Sequence, residues 1–269
     1  MTEALLLTID EGLARLTLNR PASLNAFDAD LAHAWRDATA EAVARDDVGA
    51  ILIEGRGRSF CAGGDVRAMS ASKSGGHEIT ALAQVINAGI LSLTTSAVPV
   101  VAAAHGTTAG GGLGILMCSD YAVIGASSKI GSRYANIGLT PDLSVSAQLA
   151  RAVGERRALQ LLLQDRMLSA DEAVEWGLVA EAIAGPSGEA GSDPDAEADA
   201  VRERAEEVAR FWLAGASGAS GPAKRLVRSQ PSRSFEEQLS AEADSIGAAF
   251  DTDDAQARIA GFAAASRKR

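Results

Sequence analysis

Residues 98–118, VPVVAAAHGTTAGGGLGILMC, form the most apolar stretch of the chain and decide its fold. The small and β-branched side chains of residues 98–104 predict a buried strand. Three consecutive glycines at positions 110–112 predict a sharp turn, and the apolar residues from Leu113 onward predict a short helix. A buried strand that turns through glycines into a helix is typical of an α/β protein.

The same stretch does not predict a membrane span. His105, Thr107, Thr108 and five glycines interrupt it, so it lacks the continuous apolar run of a spanning helix. The N-terminus begins with a strand-like run at residues 5–9 and has neither the basic region nor the cleavage signature of a secretory signal. We therefore expect a cytoplasmic protein without a membrane partner.

The segments on the N-terminal side of this stretch also alternate between strands and helices. Residues 5–18 predict two strands joined by a turn at residues 10–12. Apolar residues at helical spacing predict a helix over residues 28–43, and a β-branched run predicts a strand over residues 48–53. A further helix is expected over residues 79–93. This ββαβ beginning agrees with the α/β class.

The C-terminal part of the chain is predicted to be mainly helical. A strand is expected over residues 121–124, and strand signals are scarce beyond Asp142. Residues 184–198 contain almost no large apolar side chain and predict a solvated, mobile loop. We expect an α/β core over residues 1–200, which includes this loop, and a helical C-terminal region over residues 201–269. Helices are predicted over 145–152, 155–163, 201–213, 221–228 and 235–250, and from Asp254 onward.

Composition and charge exclude several classes of function. Of the 269 residues, 47% are hydrophobic, which is enough for a substantial core. The 35 acidic and 25 basic residues give a formal charge of −10, which disfavours binding to nucleic acid or to an anionic membrane. Only two cysteines are present, so a disulfide framework is not expected. No metal site is predicted.

Residues 60–65, FCAGGD, form a second glycine turn, directly after the strand predicted at residues 48–53. Small residues there allow a ligand to approach bare backbone amides. Either turn alone is a weak signal, and no Lys-Ser or Lys-Thr follows Gly112 as a phosphate-binding loop would require. Together, two such turns at strand ends predict an oxyanion hole, in which two N–H groups hold a carbonyl oxygen as it gains charge.

The order and spacing of these motifs resemble the enoyl-CoA hydratase/isomerase (crotonase) superfamily. The resemblance covers most of residues 5–180. It is carried by Asn19-Arg20-Pro21 with Asn25-Ala26, by residues 59–65 (SFCAGGD), by residues 99–112 with His105-Gly106 and the three glycines, by residues 137–142 (IGLTPD), and by residues 170–179.

The resemblance implies a spiral of ββα units followed by a helical trimerisation region, and hence a homotrimer or a dimer of trimers. It implies that the backbone amides of Gly64 and Gly111 hold the thioester carbonyl of an acyl-CoA substrate. Coenzyme A is then part of the substrate, and no separate cofactor is expected. The residues implied to lie near coenzyme A are Ala22, Leu24, Ala62 and Asp65. Lys268 could meet one of its phosphates from a neighbouring subunit, or it could be a solvated terminal charge.

The residue expected to move a proton is Asp142. Hydratases of this family carry two glutamates, and this sequence has Gly114 and Tyr134 at the corresponding positions. Asp142 stands where some enoyl-CoA isomerases of the family have an acidic base and where a dehalogenase has its nucleophilic aspartate. An apolar pocket raises the pKa of a carboxylate, which suits a proton shuttle between carbons two and four of an unsaturated acyl chain. We therefore expect double-bond isomerisation.

Structural explanations stand beside the functional ones for several residues. Asp142 precedes a predicted helix and could cap it, and a structural role is expected for Asp65. Tyr134 and Asn87 could line the acyl site, or they could serve core packing and the polar face of a helix. His105 is expected to support the adjacent glycine turn, and the other two histidines to be solvated. The walls that select the acyl group are expected around residues 66–90 and 134–146.

Three alternative functions are open at this point. A hydratase that uses Asp142 and one ordered water would keep the same oxyanion hole. A dehalogenase or thioester hydrolase would use Asp142 as nucleophile, but the three histidines and eleven aromatic residues offer it no evident partners. A non-catalytic acyl-CoA-binding protein of the same fold would explain the absence of both glutamates.

Overall fold

The structure, a computed structural model, describes residues 3–71, 75–164 and 166–266. Its alternating strands and helices confirm the predicted α/β class. Lys268, which was considered as a contact for a coenzyme A phosphate, lies outside the described residues.

The described strands form two sheets. They are β1 (Leu5–Asp10), β2 (Leu13–Leu18), β3 (Ala50–Gly55), β4 (Val100–Ala104), β5 (Thr107–Ala109), β6 (Tyr121–Gly125), β7 (Lys129–Gly131), β8 (Met167–Ser169) and β9 (Glu181–Ile183). The large sheet has the order β1-β2-β3-β4-β6-β9, with β1 and β2 antiparallel and all other neighbours parallel. The small sheet has the order β5-β7-β8, with β5 and β7 parallel and β7 and β8 antiparallel.

The described helices connect the strands and extend beyond them. They are α1 (Ala29–Ala44), α2 (Val66–Ala71), α3 (Gly76–Thr95), α4 (Gly111–Met117), α5 (Val145–Val153), α6 (Glu155–Leu163), α7 (Ala170–Glu175), α8 (Pro194–Ala214), α9 (Ser217–Ser229), α10 (Phe235–Phe250) and α11 (Asp253–Ser266). Three short 3₁₀ turns lie at Pro21–Ser23, Ala135–Ile137 and Gln230–Ser232.

Successive turns of the chain add one strand to each sheet. After β4 joins the large sheet, β5 joins the small one, and α4 follows; β6 and β7 then repeat the pattern beside them. This repetition of two strands and a helix is the predicted ββα spiral. Because β7 pairs with β5, the chain returns to a position beside β5, just before the start of α4.

Helices cover both faces of the large sheet. Side chains alternate between faces along a strand, so Ile51 on β3 packs into the larger core with α1 and α3, whereas its neighbour Leu52 packs with α8. The helix α3 is fixed against α1 at Gly89, where an added Cβ would lie 2.3 Å from Nε1 of Trp35. That nitrogen also donates a hydrogen bond to the carbonyl of Ile86, at 3.1 Å. The position of α3 is therefore determined by close packing with α1.

The predicted loop at residues 184–198 is wrong in its last five residues. Helix α8 begins at Pro194, and the side chain of Asp193 caps it by accepting from the amides of Asp195 at 3.2 Å and Ala196 at 3.1 Å. Glu197 is only 2% exposed, and it accepts hydrogen bonds from the amide and hydroxyl of Ser127. The low hydrophobicity of the segment concealed a capped helix start. The predicted division at residue 200 falls inside this helix.

The helices after α8 expose an unusual amount of apolar surface. Phe235, Ile246 and Phe262 are each more than 70% exposed. The predicted helical C-terminal region is thus present, and trimerisation through it stays a prediction. Within the described residues, no helix is both long and apolar enough to span a membrane.

Candidate active site

The two glycine turns lie side by side. Cys61 forms a parallel bridge with Thr108 of β5, and the amide of Ala109 donates to the carbonyl of Cys61 at 3.0 Å. An added Cβ at Gly112 would lie 2.1 Å from the same carbonyl oxygen, and one at Gly63 would lie 3.0 Å from the amide nitrogen of Gly111. Only glycine permits this approach, because a real Cβ essentially never lies so close to backbone atoms.

Gly64 and Gly111 line a common cavity. The amide of Phe27 donates to Gly63 at 2.7 Å, and the amide of Asp65 donates to Phe27 at 3.0 Å. Since successive amides of an extended segment point in opposite directions, the N–H of Gly64 points away from Phe27. Gly111 is the first residue of α4, so its N–H has no acceptor in a preceding helical turn. Both glycines line the cavity, as an oxyanion hole requires.

This cavity, here called the Asp142 cavity, has a volume of about 440 Å³. Residues from both predicted pocket walls line it, and Asp142, Tyr134, Gly64 and Gly111 come together in it. Ala62, which was expected near coenzyme A, lines it as well. Among the described residues that line it, Asp142 is the only carboxylate. The apolar part of the lining includes Phe27, Met69, Ile79, Leu82, Ile86, Ile137, Leu139 and Leu143.

Tyr134 holds the carboxylate of Asp142. The phenol donates a hydrogen bond from Oη to Oδ1 of Asp142 at 2.6 Å. Tyr134 is only 7% exposed, and burial together with the neighbouring carboxylate raises the pKa of its phenol, so it stays a donor. Tyr134 and Asp142 are eight positions apart in the sequence, and the 3₁₀ turn at Ala135–Ile137 folds the chain so that their side chains meet.

The pKa of Asp142 is raised above its ordinary value. Burial is the cause, and the hydrogen bond from Tyr134 opposes it. The residue is exposed where it meets the open cavity, whereas protein atoms displace water on its other sides. Asp142 is thus reachable by a ligand and only partly hydrated, and its carboxyl group holds a proton at higher pH than an ordinary aspartate does.

The alternative interpretation of Asp142 as a helix cap is wrong. Helix α5 begins at Val145, its N-cap residue is Ser144, and no side chain caps it. Asp142 contributes only its backbone carbonyl, which accepts from the amide of Val145 at 2.9 Å. Its carboxylate is directed to Tyr134 instead.

The segment after Asp142 occupies the space where a glutamate would stand at position 114. Gly114 is buried, and an added Cβ there would lie 2.0 Å from the carbonyl oxygen of Leu143. Leu143 and Ser144 both adopt left-handed conformations, with φ of 48° and 66°, at a cost of about 1 kcal/mol or more each. The side chain of Leu143 also packs against Gly111. The backbone of this strained segment therefore fills the space that a side chain at position 114 would need.

The residues expected near coenzyme A lie mainly outside the Asp142 cavity. Ala22 is exposed, and the carbonyl of Leu24 accepts from the amide of Ala62 at 3.0 Å. Asp65 pairs with Arg20 at 3.2 Å. Although burial opposes it, hydrogen bonds from the Ala68 amide and from Arg20 hold the pKa of Asp65 below its ordinary value. These contacts agree with a structural role for Asp65, and coenzyme A binding here stays a prediction.

The histidines do not line the Asp142 cavity. His105 is 4% exposed, and its Nε2 donates to the carbonyl of Gly57 at 2.6 Å. Burial lowers its pKa, so it is a neutral structural residue, and the loop that it holds is the one at Gly57 rather than the adjacent glycine turn named in the prediction. His33 and His77 are exposed, on α1 and α3.

Sequence reasoning missed two residues of the cavity. Phe27 is buried at 1% exposure, and Arg133 has a left-handed backbone with φ of 59°. Phe27 directly follows the Asn25-Ala26 motif, which is the one signal that pointed to it. No sequence pattern pointed to Arg133 as a cavity residue, because its left-handed conformation depends on the turn before Tyr134.

The chain belongs to the enoyl-CoA hydratase/isomerase family, whose sequence model matches residues 8–268. It is 28% identical to 1,2-epoxyphenylacetyl-CoA isomerase of Escherichia coli (strain K12), covering 91% of this chain and 89% of that one. It is 33% identical to 4-chlorobenzoyl coenzyme A dehalogenase-2 of Arthrobacter sp, covering 84% and 78%. The relatives thus bear names of different reactions.

Solved structures confirm the predicted crotonase-like fold. An enoyl-CoA hydratase from Polaromonas sp. JS666 superposes with a TM-score of 0.86 at 27% identity, covering 97% of this chain and 96% of that one. An enoyl-CoA hydratase from Mycobacterium smegmatis gives 0.86 at 25% identity, covering 96% and 95%.

Proposed function

We propose that this chain isomerises the carbon–carbon double bond of an acyl-CoA thioester. Gly64 and Gly111 would polarise the thioester carbonyl, and Asp142 would carry the proton. The observation that carries the proposal is that Gly64, Gly111 and Asp142 line one cavity, in which Asp142 is the only carboxylate among the described lining residues. One carboxylate is enough for isomerisation, whereas hydration by a glutamate pair needs two.

The oxyanion hole would make the proton at carbon two removable. When the thioester oxygen accepts hydrogen bonds from Gly64 and Gly111, the negative charge that develops on it is stabilised in a site with restricted water. The glycine packing fixes both amides before the substrate binds. No reorganisation of the backbone is then needed as the charge develops.

Asp142 would act as base and then as acid. Its carboxylate removes a proton from carbon two of a 3-enoyl thioester, and the electron pair is delocalised to the thioester oxygen as a dienolate. Asp142, now protonated and accessible from the cavity, delivers a proton to carbon four while the double bond shifts to carbons two and three. Exchange of that proton with solvent would place deuterium at carbon four in deuterated water. Its raised pKa supports both steps, because a more basic carboxylate removes a proton from carbon more readily than an ordinary aspartate does.

Tyr134 would position the base rather than touch the substrate. Its hydrogen bond occupies Oδ1 of Asp142, which leaves Oδ2 for the substrate. Ala22, Leu24, Ala62 and Asp65 would bind coenzyme A, which enters as part of the substrate. A homotrimer or dimer of trimers in the cytoplasm completes the proposal.

Hydration is the second candidate, because Asp142 is accessible from the cavity and a water bound to it could add to a 2-enoyl thioester. A nucleophilic role, as in dehalogenation, is less well supported, since no histidine lines the described part of the cavity to activate water. A non-catalytic acyl-CoA-binding protein would bind thioesters without turnover.

Product analysis tests the proposal. Purified protein is incubated separately with 3-hexenoyl-CoA and 2-hexenoyl-CoA, and products are identified by NMR. Isomerisation predicts interconversion of the two, whereas a 3-hydroxyacyl product would favour hydration. Binding without any product would leave the non-catalytic function. Asp37→Asn, on the exposed surface of α1, is the control for Asp142→Asn and should react like the unsubstituted protein.

A further inference from the structure

A second cavity, here called the arginine cavity, lies between α3, α5 and α9. It has a volume of about 720 Å³, and Arg151, Arg225, Arg228 and Arg233 line it. Among its described lining residues there is no aspartate or glutamate. This is notable in a chain with a formal charge of −10. Arg228 is paired with Asp120, and the exposed side chains of Arg151 and Arg225 add positive charge beside it.

Two of these arginines are held in place. Arg228 donates to Asp120 at 2.9 Å and to Oε1 of Gln148 at 2.7 Å. Arg233 donates to the hydroxyl of Ser229 at 2.8 Å and to Oε1 of Gln238 at 3.1 Å. These hydrogen-bond partners of Arg233 are neutral, and Glu237 is an acidic residue that interacts with its charge electrostatically.

The guanidinium groups of the other two arginines have no partner within the part of the chain that the structure describes. Neither the guanidinium group of Arg151 nor that of Arg225 makes a hydrogen bond or ion pair there; Arg225 contributes only its backbone carbonyl, which accepts from the hydroxyl of Ser229 at 2.5 Å. Elsewhere the described arginines commonly pair with carboxylates, as Arg15 does with Glu54 and Arg204 with Glu181. Ser144 adds a hydroxyl whose oxygen accepts from Gln148 at 2.7 Å, which leaves its hydrogen for a ligand. The cavity therefore offers donors and positive charge without acceptors of matching charge.

The arginine cavity adjoins the Asp142 cavity. Asn87 on α3 lines both of them. Leu143 lines the Asp142 cavity, and the next residue, Ser144, lines the arginine cavity. A group at the far end of an acyl chain would thus meet the arginines after passing Asn87.

We propose that the arginine cavity binds an oxyanion, a carboxylate or phosphate group that pairs with Arg151 and Arg225. Guanidinium groups bind such anions through paired N–H donors. The anion comes either from the distal end of the acyl chain, as in a dicarboxylic acyl-CoA, or from free solution. The first source rests on the proposed function, and the second does not.

Calorimetric titration of the full chain with saturated thioesters separates the two sources, because saturated esters need no turnover. The ligands are hexanedioyl-, octanedioyl- and decanedioyl-CoA, the monocarboxylic esters of the same lengths, and inorganic phosphate. A distal carboxylate site predicts that at one length the diacid ester binds about tenfold more tightly than its monoacid partner. Arg151→Gln with Arg225→Gln should abolish that advantage and leave the monoacid ester unchanged.

A free-anion site predicts a different result. Phosphate would bind saturably at one site and lose that binding in the double variant, while diacid and monoacid esters bind equally. Arg36→Gln with Arg45→Gln removes the same charge from the surface of α1 and should change neither measurement. If esters fail to bind but phosphate binds, the proposed function fails and the anion site stands.

Two results would overturn the proposal. One is that neither the diacid advantage nor phosphate binding appears, or that either persists in the double variant. The other is a change of oligomeric state in the double variant, seen by sedimentation, without any effect on anions. The arginines would then meet acidic residues of another copy of the chain.

Discussion

The two sides of the Asp142 cavity are built on opposite principles. The glycine side, residues 61–64 and 109–112, supplies backbone amides, and any added side chain at Gly63 or Gly112 would collide with backbone. The carboxylate side, residues 134–144, supplies side chains from a segment that contains left-handed Leu143 and Ser144. One side is fixed by close packing and backbone hydrogen bonds, whereas the other depends on one side-chain hydrogen bond and a strained turn.

This difference separates binding the carbonyl from choosing the reaction. The glycine side could serve any chemistry that places negative charge on a thioester oxygen. The carboxylate side determines which proton, water or leaving group is handled, because it holds the one titratable carboxyl group of the described lining. Substitutions on the glycine side should therefore damage folding and activity together, and those on the carboxylate side mainly activity.

The largest effect is expected for Gly112→Ala. Its Cβ would lie 2.1 Å from the carbonyl oxygen of Cys61, so the two turns must separate, at a cost of about 3 kcal/mol or more. Urea unfolding should show this loss, and turnover should disappear. Gly247→Ala, on α10 with no atom within 4 Å of the added Cβ, is the matched control and should gain about 0.5–1 kcal/mol. Equal stability of Gly112→Ala and the unsubstituted protein would refute the close packing.

Gly114→Glu should not create a hydratase. The added side chain would collide with the carbonyl of Leu143, which moves the segment that carries Asp142. We expect isomerisation to fall at least about a hundredfold and no 3-hydroxyacyl product by NMR. Gly261→Glu, in open space on α11, should leave activity unchanged. If Gly114→Glu formed a 3-hydroxyacyl product, the segment after Asp142 would have to move easily to make room for the new side chain.

Tyr134→Phe should lower activity by about tenfold and move its pH dependence. Asp142 must be ionised to take a proton, so the rate rises with pH through the raised pKa of that group. Loss of the tyrosine hydrogen bond leaves burial unopposed, and the midpoint of the pH–rate profile should move to higher pH. Tyr121→Phe, which removes a phenol bonded to Glu181 at 2.5 Å, should leave the profile where it is. An unmoved midpoint in Tyr134→Phe would exclude the positioning role.

The smallest effect concerns stability. Because folding raises the pKa of Asp142, ionisation of this residue costs the folded state stability, and the cost grows as pH rises from the ordinary to the raised pKa. Asp142→Asn removes the charge, so its melting temperature should exceed that of the unsubstituted protein at pH 7. The two should converge in mildly acidic solution. A melting temperature of Asp142→Asn that is lower than that of the unsubstituted protein at pH 7, with convergence in acid, would mean that the ionised carboxylate stabilises the fold.

Much of the glycine side could be read from the sequence because its signals are local. Three glycines after a buried strand, and FCAGGD after another, mark backbone that must approach something closely. The long helices and the strands of the large sheet have clear periodicity, and α10 has its predicted bounds, Phe235–Phe250. The three-residue strands β5, β7, β8 and β9 were missed, because so short a segment shows no alternation.

Features that join distant segments could not be predicted in the same way. The hydrogen bond between Tyr134 and Asp142 depends on a 3₁₀ turn, and the closure of the space at Gly114 depends on left-handed Leu143. The arginine cavity brings Arg151 and Arg225 together from two different helices. Each of these arginines alone resembles a solvated surface charge, so only the folded chain reveals the cluster.

Deuterium transfer tests the central claim, that Asp142 carries a proton between two carbons beside a fixed oxyanion hole. NMR of 3-hexenoyl-CoA in deuterated water, with the unsubstituted protein and with Asp142→Asn, follows the label at carbons two and four. The account predicts double-bond migration with label at carbon four, reduced at least about a hundredfold in Asp142→Asn, whose thioester binding is unchanged. Migration and labelling at equal rates in both proteins would contradict it.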